Sequence, residues 1–240
     1  MRIIKHLRSD WFRYGFETLA IVVGLLVAFA LENWNEERKS VAQTKVFLNH
    51  IASNLGEDID ELRDLLTHVD KTIQRADSLI ESFKWNRFSQ FEATVYLSFL
   101  NTEKSFHVNR SGIDAQIHSG SLDLLSPDLA YALQQYYALC DKLAERESIS
   151  NRFIQEKYEP HYFRHYSSTA RVSDVYGISN KYIDDPREKP LIDTKKIAED
   201  HNLETLILVR LVQSDLEKEI YQDLIASATS LRKDIELNLQ

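Results

Sequence analysis

One cysteine, one methionine, four prolines and six glycines in 240 residues leave this chain short of staples, breakers and turns. A lone Cys140 cannot close an internal disulfide, so it neither requires nor excludes an oxidising compartment. So few glycines and prolines predict long helices joined by few turns. There is no GxSxG, no phosphate-binding glycine loop and no CxxC, so none of these routes to catalysis is available. Basic excess is missing too. A net charge of −8 argues against wholesale nucleic-acid binding and against the chain lying flat on an anionic leaflet. What remains is ordinary for a folded protein, with 43% apolar and 28% charged residues.

Long apolar runs are scarce, with a single one near the start: Thr18 to Leu31, TLAIVVGLLVAFAL. Its fourteen residues are short of the roughly 20 that a bilayer core demands of a helix. The flanks make up the difference. Trp11, Phe12, Tyr14 and Phe16 precede it and Trp34 closes it, as interfacial aromatic belts do, and Trp11 to Trp34 is 24 residues. A signal peptide would want a small-x-small cleavage site after the run, and Leu31-Glu32-Asn33-Trp34 has none. The reading is a single transmembrane helix over 18–34 behind a short segment 1–17, with Trp11, Tyr14 and Trp34 as interface anchors. Arg2, Lys5, Arg8 and Arg13 before the helix outnumber Arg38, Lys39 and Lys45 after it, which places the N-terminus in the cytoplasm. On one helix face Ala20, Gly24 and Ala28 recur every four residues, a ridge that lets two helices approach closely in lipid. Glu17 and Glu32 continue that face at the two membrane edges. They either reach the headgroups or pair across a homo-oligomeric interface.

These residues carry a resemblance. The aromatic segment, Glu17, Gly24-Leu25-Leu26-Val27-Ala28 and then Asn33-Trp34-Asn35-Glu36-Glu37-Arg38-Lys39 resemble a family of uncharacterised Bacteroidetes membrane proteins with one N-terminal helix followed by a helical domain. Ile113 to Leu125, IDAQIHSGSLDLL, is similar to that family's Ser-Gly turn and alternating leucines. The chain departs from it in having Phe16 before Glu17 and an acid at Glu32. The resemblance covers Phe12 to Lys39 best and implies topology; the family has no assigned activity.

Beyond the anchor, Leu48, Ala52, Leu55, Ile59, Leu62, Leu66, Val69, Ile73, Ala76, Ile80 and Phe83 alternate spacings of four and three. That heptad stripe predicts a helix over about 39–84, which no proline interrupts, as one wall of a bundle or one strand of a parallel coiled coil. Trp85 to Asn101 reads as a shorter helix with Phe88, Phe91, Val95 and Phe99 near one face. Asn101 to Ser121 shows no period, and Ser111-Gly112 and Ser119-Gly120 mark turns. Ser126-Pro127 starts a helix over about 127–158, capped by Ser126 and ended or kinked by Pro160. Residues 160–199 read as a loop or cap, with 161–190 the preferred partner contact. A last helix over about 200–239 carries Leu206, Val209, Leu216, Ile220, Leu224, Ala228, Leu231 and Ile235.

Chemistry-bearing groups are sparse. His161 and His165, four apart, could share a helix face as metal ligands, but no carboxylate stands at the spacing of a known two-histidine motif. His107, His118 and His201 lie elsewhere. Cys140 sits on an apolar helix face and reads as a buried thiol. Tyr158, Tyr162, Phe163 and Tyr166 could stack a ligand or pack under a cap.

The expectation is all-α, an N-terminal transmembrane helix followed over 35–240 by an elongated antiparallel bundle with heptad-patterned helices. It is expected to be single-pass in the cell inner membrane with the helical domain outside the cytoplasm. Neither cofactor nor metal nor nucleic acid is called for. The function expected is a non-enzymatic interaction or sensory module, partnered by the lipid bilayer and by itself or another membrane protein. The rivals are a channel or transport subunit using Glu17 and Glu32, and a metal-dependent enzyme at His161 and His165.

Overall fold

The computed structural model describes residues 3–114, 125–166 and 192–239, with residues 3–14 and 238 as backbone alone. Every regular element among the described residues is helical, so the protein is all-α. Helix α1 runs unbroken from Ile3 to Lys84, 82 residues, about 120 Å at 1.5 Å per residue. It ends in a Schellman turn: Asn86, at φ 48°, donates its N–H to Phe83 O at 3.0 Å and Arg87 donates to Ser82 O at 2.9 Å. Asparagine tolerates the left-handed conformation better than most side chains, which is why the stop falls here. Ser89 and Glu92 then form a reciprocal capping box, 2.8 and 3.1 Å. It opens a π-helical turn, Glu92–Tyr96, that tightens into α2, Leu97–Phe99.

Residues 102–110 have no regular secondary structure, and 111–114 make one helical turn. Helix α3, Pro127–Phe153, starts as the sequence predicts: Ser126 Oγ accepts the Leu129 N–H at 3.3 Å and Pro127 takes the first helical position. Helicity does not stop at Pro160. A π-helical turn, Ile154–Tyr158, carries α3 into α4, Glu159–His165. Pro160 stands in the first turn of α4, where its missing N–H costs least. Helix α5, Thr194–Ala198, is capped by Asp193, and α6 runs from His201 to Leu239 with Asp200 Oδ1 accepting the Leu203 N–H at 2.9 Å. Residues 167–190 of the expected partner loop, Ser119-Gly120 and His118 lie outside the described residues.

The bundle is α1 from Phe47 onward, α3 and α6. Helix α6 runs antiparallel to α1, with Lys218 paired to Asp70 at 2.8 Å and Arg232 lying over Gly56. Two hydrophobic cores stack along it. The lower core gathers Leu48 to Val69 of α1, Leu129 to Leu143 of α3 and Ile220 to Ile235 of α6. The upper core gathers Ala76 to Phe83, the Ala93 to Leu100 stretch, Tyr158, Tyr162 and the start of α6 at Leu203 and Ile207.

The α1 stripe is right in one row and shifted in the other. Leu48, Leu55, Leu62, Val69, Ala76 and Phe83, seven apart, are all buried. Their buried companions are Ile51, Asp58, Leu65, Thr72 and Leu79, three residues on; of the predicted second row Ile59 is buried as expected, while Ala52, Leu66, Ile73 and Ile80 are only partly covered. The polar Asp58 and Thr72 break the apolar pattern of that row, so hydrophobicity alone selects the wrong one.

Candidate functional site

Among the described residues, the length of α1 below Phe47 lies outside both cores. From Gly15 to Lys39 every residue is exposed, including Phe16, Ile21, Leu26, Phe29 and Leu31 at 59 to 73%. The sequence-selected Glu17, Ala20, Gly24, Ala28 and Glu32 lie on this free length, and a Cβ built on Gly24 meets nothing within 4 Å. Trp34 is 57% exposed, with the Arg38 guanidinium 5.1 Å above its ring. Trp11 and Tyr14 fall where only the backbone is described. An 18-residue window of this helix reaches a mean hydropathy of 1.9 with none of it buried, long and apolar enough to cross a bilayer.

The irregular segment 102–110 lies between α1 and α3, and its backbone is held by acids. Phe106 N–H donates to both Glu147 oxygens, at 3.1 and 3.0 Å, His107 N–H to Glu61 at 3.1 Å, and Asn109 N–H to Asp58 at 3.0 Å. Side-chain carboxylates thus replace the backbone partners that an irregular segment lacks here. The sequence shows no period over this stretch because its fit depends on those acids and not on an apolar stripe. Asp58, 2% exposed, also accepts the Tyr136 hydroxyl at 2.7 Å, and burial raises its pKa above the usual carboxylate range. Glu147, also 2% exposed, accepts the Tyr221 hydroxyl at 2.6 Å, and burial pushes it up to about 7. Outside it a cleft of about 560 Å³ is lined by Glu103, Ser105, Asn151, Arg152 and Gln155 among others.

Between the two cores lies a polar waist. Arg210, 3% exposed, donates from Nη1 to Ser150 Oγ at 2.6 Å and stands 3.8 Å from Glu217. Thr72 donates to the His68 carbonyl at 3.0 Å. Arg210 Nε, Ser214 Oγ and His68 Nε2 are buried without a protein partner. Burial, then the field of Arg210, drives His68 down to about 4. None of this was visible as a site in the sequence; the signal available was a set of polar residues interrupting the apolar rows of α1 and α6.

At the top, His161 and His165 do share a helix face, with ring centroids 4.7 Å apart. Both His161 nitrogens are already engaged, Nε2 with Asp200 at 2.7 Å and Nδ1 with Asn202 at 3.2 Å. Tyr166 donates to the same Asp200 oxygen at 2.5 Å. The cluster ties α4 to the cap of α6. Among the described residues no group of three or more His, Cys, Asp or Glu could hold a metal ion. His107 meets Glu61, and His201 meets Glu204. Tyr158 and Tyr162 are fully buried, hydroxyls on Leu97 O and Ser98 Oγ, Tyr166 is nearly so, and Phe163 is 39% exposed. Tyr158, Tyr162 and Tyr166 are upper-core residues, and Phe163 is not among them. Cys140 is 2% exposed, and burial pushes its thiol up to about 12, far from a reactive thiolate.

Comparison with known proteins gives one match. The model of a family of unknown function, DUF6090, matches residues 17–140. No curated protein and no solved structure matches the chain. The matched stretch takes in the free apolar length of α1, its bundle half, the acid-held segment and the first half of α3. That is more than half of the chain, and the protein belongs to the family of unknown function DUF6090.

Proposed function

We propose that this protein is a single-pass membrane protein whose helical bundle serves, without catalysis, as an interaction or sensory module. The observation that carries this reading is the division of labour along α1. Large apolar side chains are exposed from Phe16 to Leu31, and the same helix continues without a break into the buried wall of the bundle. No flexible linker separates the two, so tilt or rotation of the lower helix is passed directly to the lower core. The partners are the lipid bilayer and, through Glu17, Ala20, Gly24, Ala28 and Glu32, a second copy or another membrane protein. The bundle lies outside the cytoplasm and the N-terminus inside, in the cell inner membrane. The likeness of the Asn33–Lys39 stretch to single-helix Bacteroidetes membrane proteins supports the same topology.

Two measurements test this. Carbonate extraction of native membranes should leave the full chain in the pellet; its release into the supernatant would end the anchor reading. Native mass spectrometry in detergent should then show a defined oligomer that Gly24→Leu dissociates, while a monomer in both would remove the self-association part.

A further inference from the structure

Helix α6 is inside-out over its upper half. From Leu203 to Glu217 its buried face reads Leu203, Ile207, Arg210, Ser214 and Glu217, while Leu208, Val209, Val212 and Leu216 are 37 to 57% exposed. A turn of the helix by one residue, about 100°, would present Asn202, Leu206, Val209, Gln213 and Leu216 instead. That alternative face has three apolar residues in five against two in the present one, and its Leu206, Val209 and Leu216 lie on the stripe that hydrophobic periodicity picks out. Below Ile220 the competition vanishes. The buried Tyr221, Leu224, Ala228, Leu231 and Ile235 would be exchanged for Ile220, Asp223, Ser227, Ser230 and Asp234, one apolar residue in five. The lower half of α6 therefore has one register and the upper half has two.

The present register is imperfectly satisfied where the two compete. Arg210 Nε and Ser214 Oγ are buried without partners, and Arg210 to Glu217 is a loose 3.8 Å. It is held by real contacts as well: Leu203 and Ile207 are fully buried in the upper core, Asp200 caps the helix, and Arg210 bonds Ser150. Apolar gain on one side stands against caps and hydrogen bonds on the other, the condition for two packings of similar free energy. A one-residue change of face needs one π-type turn to absorb it, and the fold already contains two, Glu92–Tyr96 and Ile154–Tyr158.

We propose that the upper half of α6, Leu203 to Glu217, is a two-register element that rotates about its axis against α1 and α3, while the lower half stays fixed. Rotation buries Val209 and Leu216 and brings Arg210, Ser214 and Glu217 toward water. The inference stands whether or not α1 spans a membrane, since it concerns the bundle alone.

Cysteine accessibility in the full chain tests it. Ser214 and Ala228 are both 0% exposed on the same helix, one in each half. In a Cys140→Ala background, Ser214→Cys should react with a small maleimide at least about tenfold faster than Ala228→Cys, because sub-global opening confined to one half exposes only the first. Adding Arg210→Leu and Glu217→Leu makes the present face apolar and should bring Ser214→Cys down to the Ala228→Cys rate. Equal, slow labelling at both positions would overturn the proposal, and equal, fast labelling would mean global opening and overturn it as well.

Discussion

Glu147 and His68 should tilt the stability of this protein in opposite directions as pH changes, and replacing either should expose the other. Glu147 has a folded pKa of about 7 against 4.5 unfolded, because its carboxylate is buried. The folded state therefore binds the proton more tightly, and stability falls as pH rises from 4.5 to 7. The difference of roughly 2.5 units corresponds to about 3 kcal/mol. His68 has a folded pKa of about 4 against 6.5, because burial and Arg210 disfavour its cation. Its contribution is present above pH 6.5 and is lost as pH falls to 4, again about 3 kcal/mol. The two nearly cancel between pH 7 and 5. Glu147→Gln removes the first, so the variant should lose stability on acidification more steeply than the parent. The gap between parent and variant should move by about 3 kcal/mol in the parent's favour from pH 8 to pH 4.5, roughly 6–12 °C in Tm for a chain this size. His68→Asn should show the mirror image, gaining on acidification. Thermal unfolding of the full chain in a mild detergent at pH 8, 6.5 and 4.5 reads both. Parallel profiles for parent and Glu147→Gln would refute the argument, because groups common to both chains, Asp58 included, drop out of the difference.

Other outcomes follow from close contacts. Tyr136→Phe strips the buried Asp58 of a 2.7 Å hydrogen bond and should cost about 1–3 kcal/mol in denaturant unfolding. Gly112→Ala places a Cβ 3.0 Å from Ile51 Cδ1, so the buried Ile51 must give by a few tenths of an ångström, and should destabilise by about 1 kcal/mol or less. Gly15→Ala, with nothing within 4 Å, should show no such cost and is the control for it in the same melt.

Much of the architecture was legible from local rules. The absence of proline from Ile3 to Lys84, the seven-residue row from Leu48 to Phe83 and the Ser126-Pro127 start each act within a few residues of themselves, so a linear reading finds them. The free apolar length of α1 is legible for the same reason. Trp85 to Asn101 was harder. Its helix begins only at the Ser89 capping box and opens as a π turn, because the Asn86 turn first reverses the chain. Of the end or kink expected at Pro160, the end does not occur: a π turn that the apolar pattern does not record carries the helix past it.

What only the tertiary structure decided is where polar groups are buried. Asp58, Thr72, Glu147, Arg210, Ser214 and Glu217 look, residue by residue, like members of solvated faces, and each is inside. A hydrophobic periodicity cannot place them, because the favourable terms come from partners far along the chain: Asn109 and Tyr136 for Asp58, Phe106 and Tyr221 for Glu147, Ser150 for Arg210. The amino-acid pattern determined which segments are helices and which length of α1 is apolar enough to cross a bilayer. Long-range hydrogen bonding determined which face of α6 turns inward, since a buried polar group is tolerated only where another element has brought its partner.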